Sequence, residues 1–174
     1  MEQQPSIVIA ASACLLGQEL RYDGGHKRHD YLCRVLSQRF SIVAVCPEVE
    51  LGLAVPREPL ELVDINGESR LLGSRSGDDH SQAMRAYARR RIGELSSLGI
   101  CGYVLKSRSP SCAARLGDYP ASPAESARTR GLFAELLFTV LPRLPIVEEQ
   151  QLDQPITAQR FIDAVQAYHR LAKP

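Results

Sequence analysis

The sequence predicts a single α/β domain in which a mainly parallel sheet is covered by helices on both faces and a β-hairpin is inserted between two strands. Three observations predict it. Short apolar runs, Ser6 to Ala11, Ile42 to Val45, Ile100 to Leu105 and Pro145 to Val147, have the length and side chains of buried strands. Longer segments with apolar residues at helical spacing separate most of these runs, which calls for right-handed crossovers between parallel strands. At 174 residues and 44% apolar content, the chain is long enough for one full hydrophobic core.

Taken in order, the first run feeds a loop, Leu15-Leu16-Gly17, and then Arg21-Tyr22-Asp23-Gly24-Gly25, whose paired glycines suit a tight turn beside a ligand. From His29 to Phe40, Tyr31, Leu32, Val35, Leu36 and Phe40 recur at helical spacing, so a helix joins the first strand to the second. Between Pro47 and Ser76, the alternating run Leu60 to Ile65, then Asn66-Gly67, then Leu71-Leu72 predict a hairpin standing apart from the main sheet. Asp78 or Asp79 is the expected cap of a long helix reaching Leu98 and stopped by Gly99. A further helix is predicted from Pro123 to Leu141, and Thr157 is read as the start of a terminal helix carrying Phe161, Ile162, Val165, Tyr168 and Leu171. The expected organisation is a domain over residues 1–152 with a helical extension, 153–174, packed on it. The strand order cannot be read.

A net charge of +1 gives no electrostatic case for nucleic acid or an anionic membrane as partner. The run Arg85, Arg89, Arg90, Arg91 reads as the wet face of the long helix. Without a leader-like start or an apolar run of about 18 residues, the chain is expected to be cytoplasmic. Five cysteines at irregular spacing do not suggest a disulfide framework. His26, His29, His80 and His169 lack paired metal-ligand spacing and are assigned no role.

Cysteines divide by position. Cys33 lies on the apolar side of a predicted helix and Cys101 at the start of its strand, so both read as core. Cys14, Cys46 and Cys112 each follow the exit of a strand, in segments holding Gly, Pro or Ser suited to sharp turns. If those strands are neighbours, the three thiols meet at the carboxyl edge of the sheet, where open α/β folds bind ligands. Three thiolates hold a metal centre and leave one coordination position open; the opposing reading is three small buried side chains.

The words around these cysteines carry more. Ser12-Ala13-Cys14-Leu15-Leu16-Gly17 with Arg21-Tyr22-Asp23-Gly24-Gly25, then Val45-Cys46-Pro47-Glu48, then Leu105-Lys106-Ser107-Arg108-Ser109-Pro110-Ser111-Cys112 resemble the bacterial family that includes the 2-thiouracil desulfidases. The resemblance runs from about Ser6 to Leu152. It implies a Rossmann-like fold, a [4Fe-4S] cluster held by Cys14, Cys46 and Cys112 with one iron open, and acid-base roles for Glu48 and Ser109. The chain departs from the family where a glycine is usual after the last cysteine and it has Ala113-Ala114. The implied reaction exchanges the thiocarbonyl sulfur of a small thiolated pyrimidine for oxygen with release of hydrogen sulfide. In it, Glu48 would activate water and Ser109 would relay a proton or orient the ring. Arg21, Tyr22, Asp23, Gly24 and Gly25 are the candidate substrate wall, and Lys106 and Arg108 could offset the charge of the thiolates. The competing readings are a zinc-dependent hydrolase, whose deaminase signature is absent here, and a non-catalytic metal or sulfur-binding module. A dinucleotide-binding module is weakened by the lack of a Gly-x-Gly-x-x-Gly motif after the first strand.

Overall fold

The computed structural model describes residues 7–115 and 130–172. Its main sheet has four parallel strands in the order β2-β1-β5-β6, where β1 is Val8–Ser12, β2 Ser41–Val45, β5 Tyr103–Leu105 and β6 Ile146–Glu148. The chain starts in the centre, moves out to β2, and returns past β1 to β5 and β6. The remaining strands, β3 (Leu60–Ile65) and β4 (Glu68–Gly73), form the predicted antiparallel hairpin. Its two-residue turn places Asn66 at φ 55° and Gly67 at φ 81°, the left-handed pair that matches the twist of a hairpin.

Both faces of the sheet are buried because successive β1 residues point to opposite sides. Ala10 joins Val45, Tyr103 and Leu105 beneath α3 (Ser81–Ser97) and α4 (Leu132–Val140), which contribute Met84, Ile92, Leu95, Phe133 and Leu137. Ile9 and Ala11 join Val104 on the other face, beneath Leu32, Leu36 and the Phe161, Ile162 and Val165 of α5 (Pro155–Ala172). Each Val, Leu, Ile, Phe or Met side chain among them contributes about 1.5–3 kcal/mol when fully buried. The C-terminal helix therefore supplies Ala158, Phe161, Ile162 and Val165 to one core layer. Among the described residues, no helix is long and apolar enough to cross a membrane.

Several boundaries differ from expectation for local reasons. The segment after His29 passes through a wider π-helical stretch, Leu32–Leu36, before the short α1, Ser37–Arg39. There the Ser37 hydroxyl donates to the Cys33 carbonyl at 2.7 Å. The cap position of α3 is His80 rather than an aspartate, although Asp79 still accepts from the Ser81 N–H at 2.8 Å. The terminal helix starts at Pro155 and not Thr157, since proline at a first helical position is preset in φ and lacks only an N–H that would go unpaired. β5 starts at Tyr103, yet the Cys101 N–H and the Gly102 carbonyl already bond β1. The early part of the predicted helix from Pro123 lies outside the described residues; its later part is α4.

Candidate functional site

At the carboxyl edge of the sheet the three strand exits meet in one cleft of about 590 Å³. Cys14 sits in the 3₁₀ turn Ala13–Leu16 directly after β1. Cys46 stands at the cap position of α2 (Pro47–Glu50), where Pro47 begins the helix and the Glu50 carboxylate accepts from the Cys46 N–H at 3.1 Å. Cys112 ends the loop that leaves β5. All three line the cleft. Cys33 and Cys101 do not: the half-buried Cys33 thiol donates to the Leu15 carbonyl at 3.4 Å, and Cys101 lies against His169 at the far end of β5.

Burial pushes the Cys14 thiol up to about 11, helped by the nearness of Cys46, while Lys106 and Arg21 pull the other way. Burial likewise raises Cys46. Cys112 is driven far above a free thiol by burial first, then by Cys46, Glu48 and Cys14, with the Ser109 hydroxyl opposing. The bare thiols are therefore neutral at neutral pH, and a cationic centre is what would draw them into the thiolate form. Among the described residues, no three His, Cys, Asp or Glu side chains are set to close on a single metal ion.

Glu48 also lines the cleft, and its surroundings were not foreseen from sequence. One carboxylate oxygen, Oε2, accepts from both Nε and Nη2 of Arg57 at 2.8 and 2.6 Å; the other, Oε1, accepts from the Ser111 hydroxyl at 2.9 Å. Both partners of the ion pair are largely shielded, with 9% of the Arg57 side chain and 14% of Glu48 exposed. Arg57 also donates to the carbonyls of Leu20 and Ala54, and its own N–H donates to the Tyr22 carbonyl at 2.8 Å. A single side chain thus ties Glu48 to the Arg21-Tyr22 segment. Ser111, wholly buried, ties it to the Cys112 loop.

That loop is held from several sides. The Ser109 hydroxyl accepts from the N–H groups of Ser111 and Cys112 at 3.3 and 3.0 Å, with Arg108 at φ 57° turning the chain into place. At its base the Lys106 ammonium donates to Glu149 at 2.6 Å and to the carbonyl and hydroxyl of Ser107, which commits its three donors to structure. Beyond Cys112, Ala113 has no left-handed backbone, donates to the Ser109 carbonyl and accepts from the Gly131 N–H, so no glycine is needed there. The glycine this packing does need is Gly131. A Cβ on it would lie 2.4 Å from the Ser111 carbonyl carbon, because the start of α4 donates N–H groups to the Pro110 and Ser111 carbonyls. Gly131→Ala is expected to cost about 1–3 kcal/mol through this overlap. A thermal melt reads it, and an unchanged midpoint would show that the loop yields freely.

Of the expected substrate wall, Arg21 and Tyr22 line the cleft, with the Arg21 guanidinium 5.3 Å from the centre of the Tyr22 ring. Asp23 is instead spent inside its own turn, accepting from Arg21 and from the Gly25 N–H, both at 3.0 Å. Gly24 and Gly25 shape that turn without lining the cleft. Lys27 and Arg28, not singled out by sequence, and His29, to which the sequence assigned no role, also line the cleft with Arg108.

With this geometry in place, comparison with known proteins is informative. The sequence profile of the 2-thiouracil desulfurase family matches residues 9–149, from β1 to the residue that anchors Lys106. The chain belongs to the 2-thiouracil desulfurase family. Its match to the family profile spans all three cysteines and Glu48 and stops before α5. A solved structure of the [4Fe-4S]-dependent thiouracil desulfidase TudS is 31% identical, superposes with a TM-score of 0.64, and covers 88% of this chain and 97% of its own. The Bacillus subtilis (strain 168) protein YbbK, itself uncharacterized, is 31% identical over 110 residues, or 60% of this chain and 72% of YbbK. Like TudS, this member of the desulfurase family is an α/β protein with a mainly parallel sheet.

Proposed function

We propose that this protein is a desulfidase that exchanges the thiocarbonyl sulfur of a thiolated pyrimidine for the oxygen of water, releasing hydrogen sulfide. Cys14, Cys46 and Cys112 would hold a [4Fe-4S] cluster. The observation that carries the reading is the meeting of three strand-exit thiols and Glu48 on one cleft. The donor set fits the group: three soft sulfurs line one cleft and no fourth cysteine does. When bound, the cluster would supply an open, sulfur-preferring Lewis acid for the departing sulfur.

The chain's own residues would do the rest. Glu48 Oε1 accepts one hydrogen bond, from Ser111, and so retains a lone pair with which to hold a water and take its proton. Arg57 keeps that carboxylate turned toward the cleft. The Ser109 hydroxyl accepts from two backbone N–H groups, which fixes its oxygen, and it hydrogen-bonds the Cys112 thiol, so it would orient the ring or relay a proton from beside that sulfur. Tyr22 would offer a flat face to the heterocycle.

Protein purified without oxygen is expected to contain about four irons and four acid-labile sulfides per chain. It should release sulfide from 2-thiouracil in proportion to its iron content. Zinc without labile sulfide, or a fully loaded protein that releases none, would overturn the proposal.

A further inference from the structure

We propose that Glu148 is a positioning residue for Cys112, one half of a carboxylate clamp on the loop that carries this thiol; the role rests on the functional reading above. The loop runs from Lys106, at the exit of β5, to Arg115. Part of its order is internal: the Ser109 hydroxyl accepts from the Ser111 and Cys112 N–H groups, and the Ser109 carbonyl accepts from the Ala113 N–H. Where that turn stands relative to Cys14 and Cys46 depends on what grips it from outside. The start of α4 binds the carbonyls of Pro110 and Ser111 in its middle, and Glu48 binds the Ser111 hydroxyl. The two ends are gripped by consecutive residues at the exit of the edge strand β6.

At the entry, Glu149 accepts from the Lys106 ammonium at 2.6 Å and from the Ser107 hydroxyl and N–H, both at 2.7 Å. At the exit, one oxygen of Glu148, Oε1, accepts from the N–H groups of Ala114 and Arg115 at 2.8 and 3.2 Å. The strand is placed for this, since its register sets Glu148 beside Leu105, the last residue of β5. Adjacent carboxylates repel each other, yet these two turn onto opposite ends of one loop. Their grips differ in depth. Glu149 and Ser107 are buried, so the entry grip belongs to the core of the fold. Glu148, Ala114 and Arg115 reach solvent, so water satisfies the two N–H groups once Glu148 is truncated. What truncation removes is then the fixed place of the segment that follows Cys112, and not the fold. Replacing a residue that orients a metal ligand through such bonds costs about ten- to a hundredfold in metal affinity. Glu148 also caps the 3₁₀ turn Glu149–Asp153, in a reciprocal pair with Gln151, and the test has to separate the two duties.

Wild type, Glu148→Ala and Glu148→Gln are loaded anaerobically, their iron and labile sulfide are counted, and loss of the cluster to EDTA is followed by its visible absorbance. The glutamine variant keeps an oxygen that accepts from Ala114 and Arg115, so it is expected to hold the cluster like the wild type. The alanine variant is expected to lose it about ten- to a hundredfold faster, or to fail to load, while its metal-free form melts close to wild type. Equal rates in the alanine variant and the wild type would overturn the role of Glu148 and leave the desulfidase reading intact. An equally fast loss from the glutamine variant would also overturn it, by tying the effect to the charge and not to the two bonds. A metal-free alanine variant that melts well below wild type would overturn it too, since Glu148 would then serve the fold through its cap on the 3₁₀ turn. A wild-type protein that takes up no cluster overturns the desulfidase reading, and this inference with it.

Discussion

Arg57→Met is expected to slow sulfide release by about a hundredfold or more while leaving iron content near that of the wild type. The residue touches none of the three thiols, so the cluster ligands survive its loss. What it holds is the orientation of Glu48, through two bonds to one carboxylate oxygen, and the course of the backbone at Leu20 and Tyr22. A displacement of about 1 Å in a reacting group is enough for a hundredfold loss. The same change strands a shielded carboxylate, which costs about 3–5 kcal/mol when a buried pair loses one member. Thermal denaturation and steady-state sulfide release on one preparation separate the two effects. Arg57→Lys should recover part of the stability but little of the rate, because an ammonium supplies charge without the planar fork that grips Oε2. Wild-type turnover in Arg57→Met would remove Arg57 from the account of the site.

Glu48→Gln is expected to lower turnover by about a hundred- to ten-thousand-fold, the range for removing a general base. Glutamine keeps the length of the side chain and can still accept from Arg57 through its carbonyl oxygen. It loses the negative charge and the basic lone pair. The variant should therefore bind iron and sulfide like the wild type, which distinguishes it from a cysteine variant. An active, fully loaded Glu48→Gln protein would mean that another group takes the proton from water.

The parts of this molecule that were legible in sequence are those governed by local pattern. The strand runs, the Asn66-Gly67 turn and the stop at Gly99 follow from side-chain alternation and backbone permissiveness within a few residues. The three candidate thiols were legible for a related reason: each lies in the segment that leaves a strand, β1, β2 or β5, and parallel strands share an exit edge. Arg57 and Ser111 were not legible, because their importance comes from meeting Glu48 across the cleft, and neither has a local signature that differs from an ordinary loop residue. Gly131 was missed for the same reason, since its need to be small is set by the backbone of Ser111 in another segment. Asp23 shows the converse. Its position in the motif suggested a substrate acceptor, but a carboxylate two residues before a turn N–H is readily captured by its own backbone.

The placement of the thiols on β1, β2 and β5 also fixes when the site can exist. Cys14 and Cys46 come together once the first crossover has paired β1 with β2, but Cys112 joins them only after the chain has made the hairpin, run the length of α3 and added β5 on the other side of β1. Parallel pairings of such long sequence separation form slowly, and both core layers must be largely assembled before the third sulfur arrives. A small metallo-domain that is unfolded without its metal uses the ion to begin folding. Here the two apolar layers bury both faces of the sheet, so a cluster held as proposed would enter a pocket that the fold itself builds.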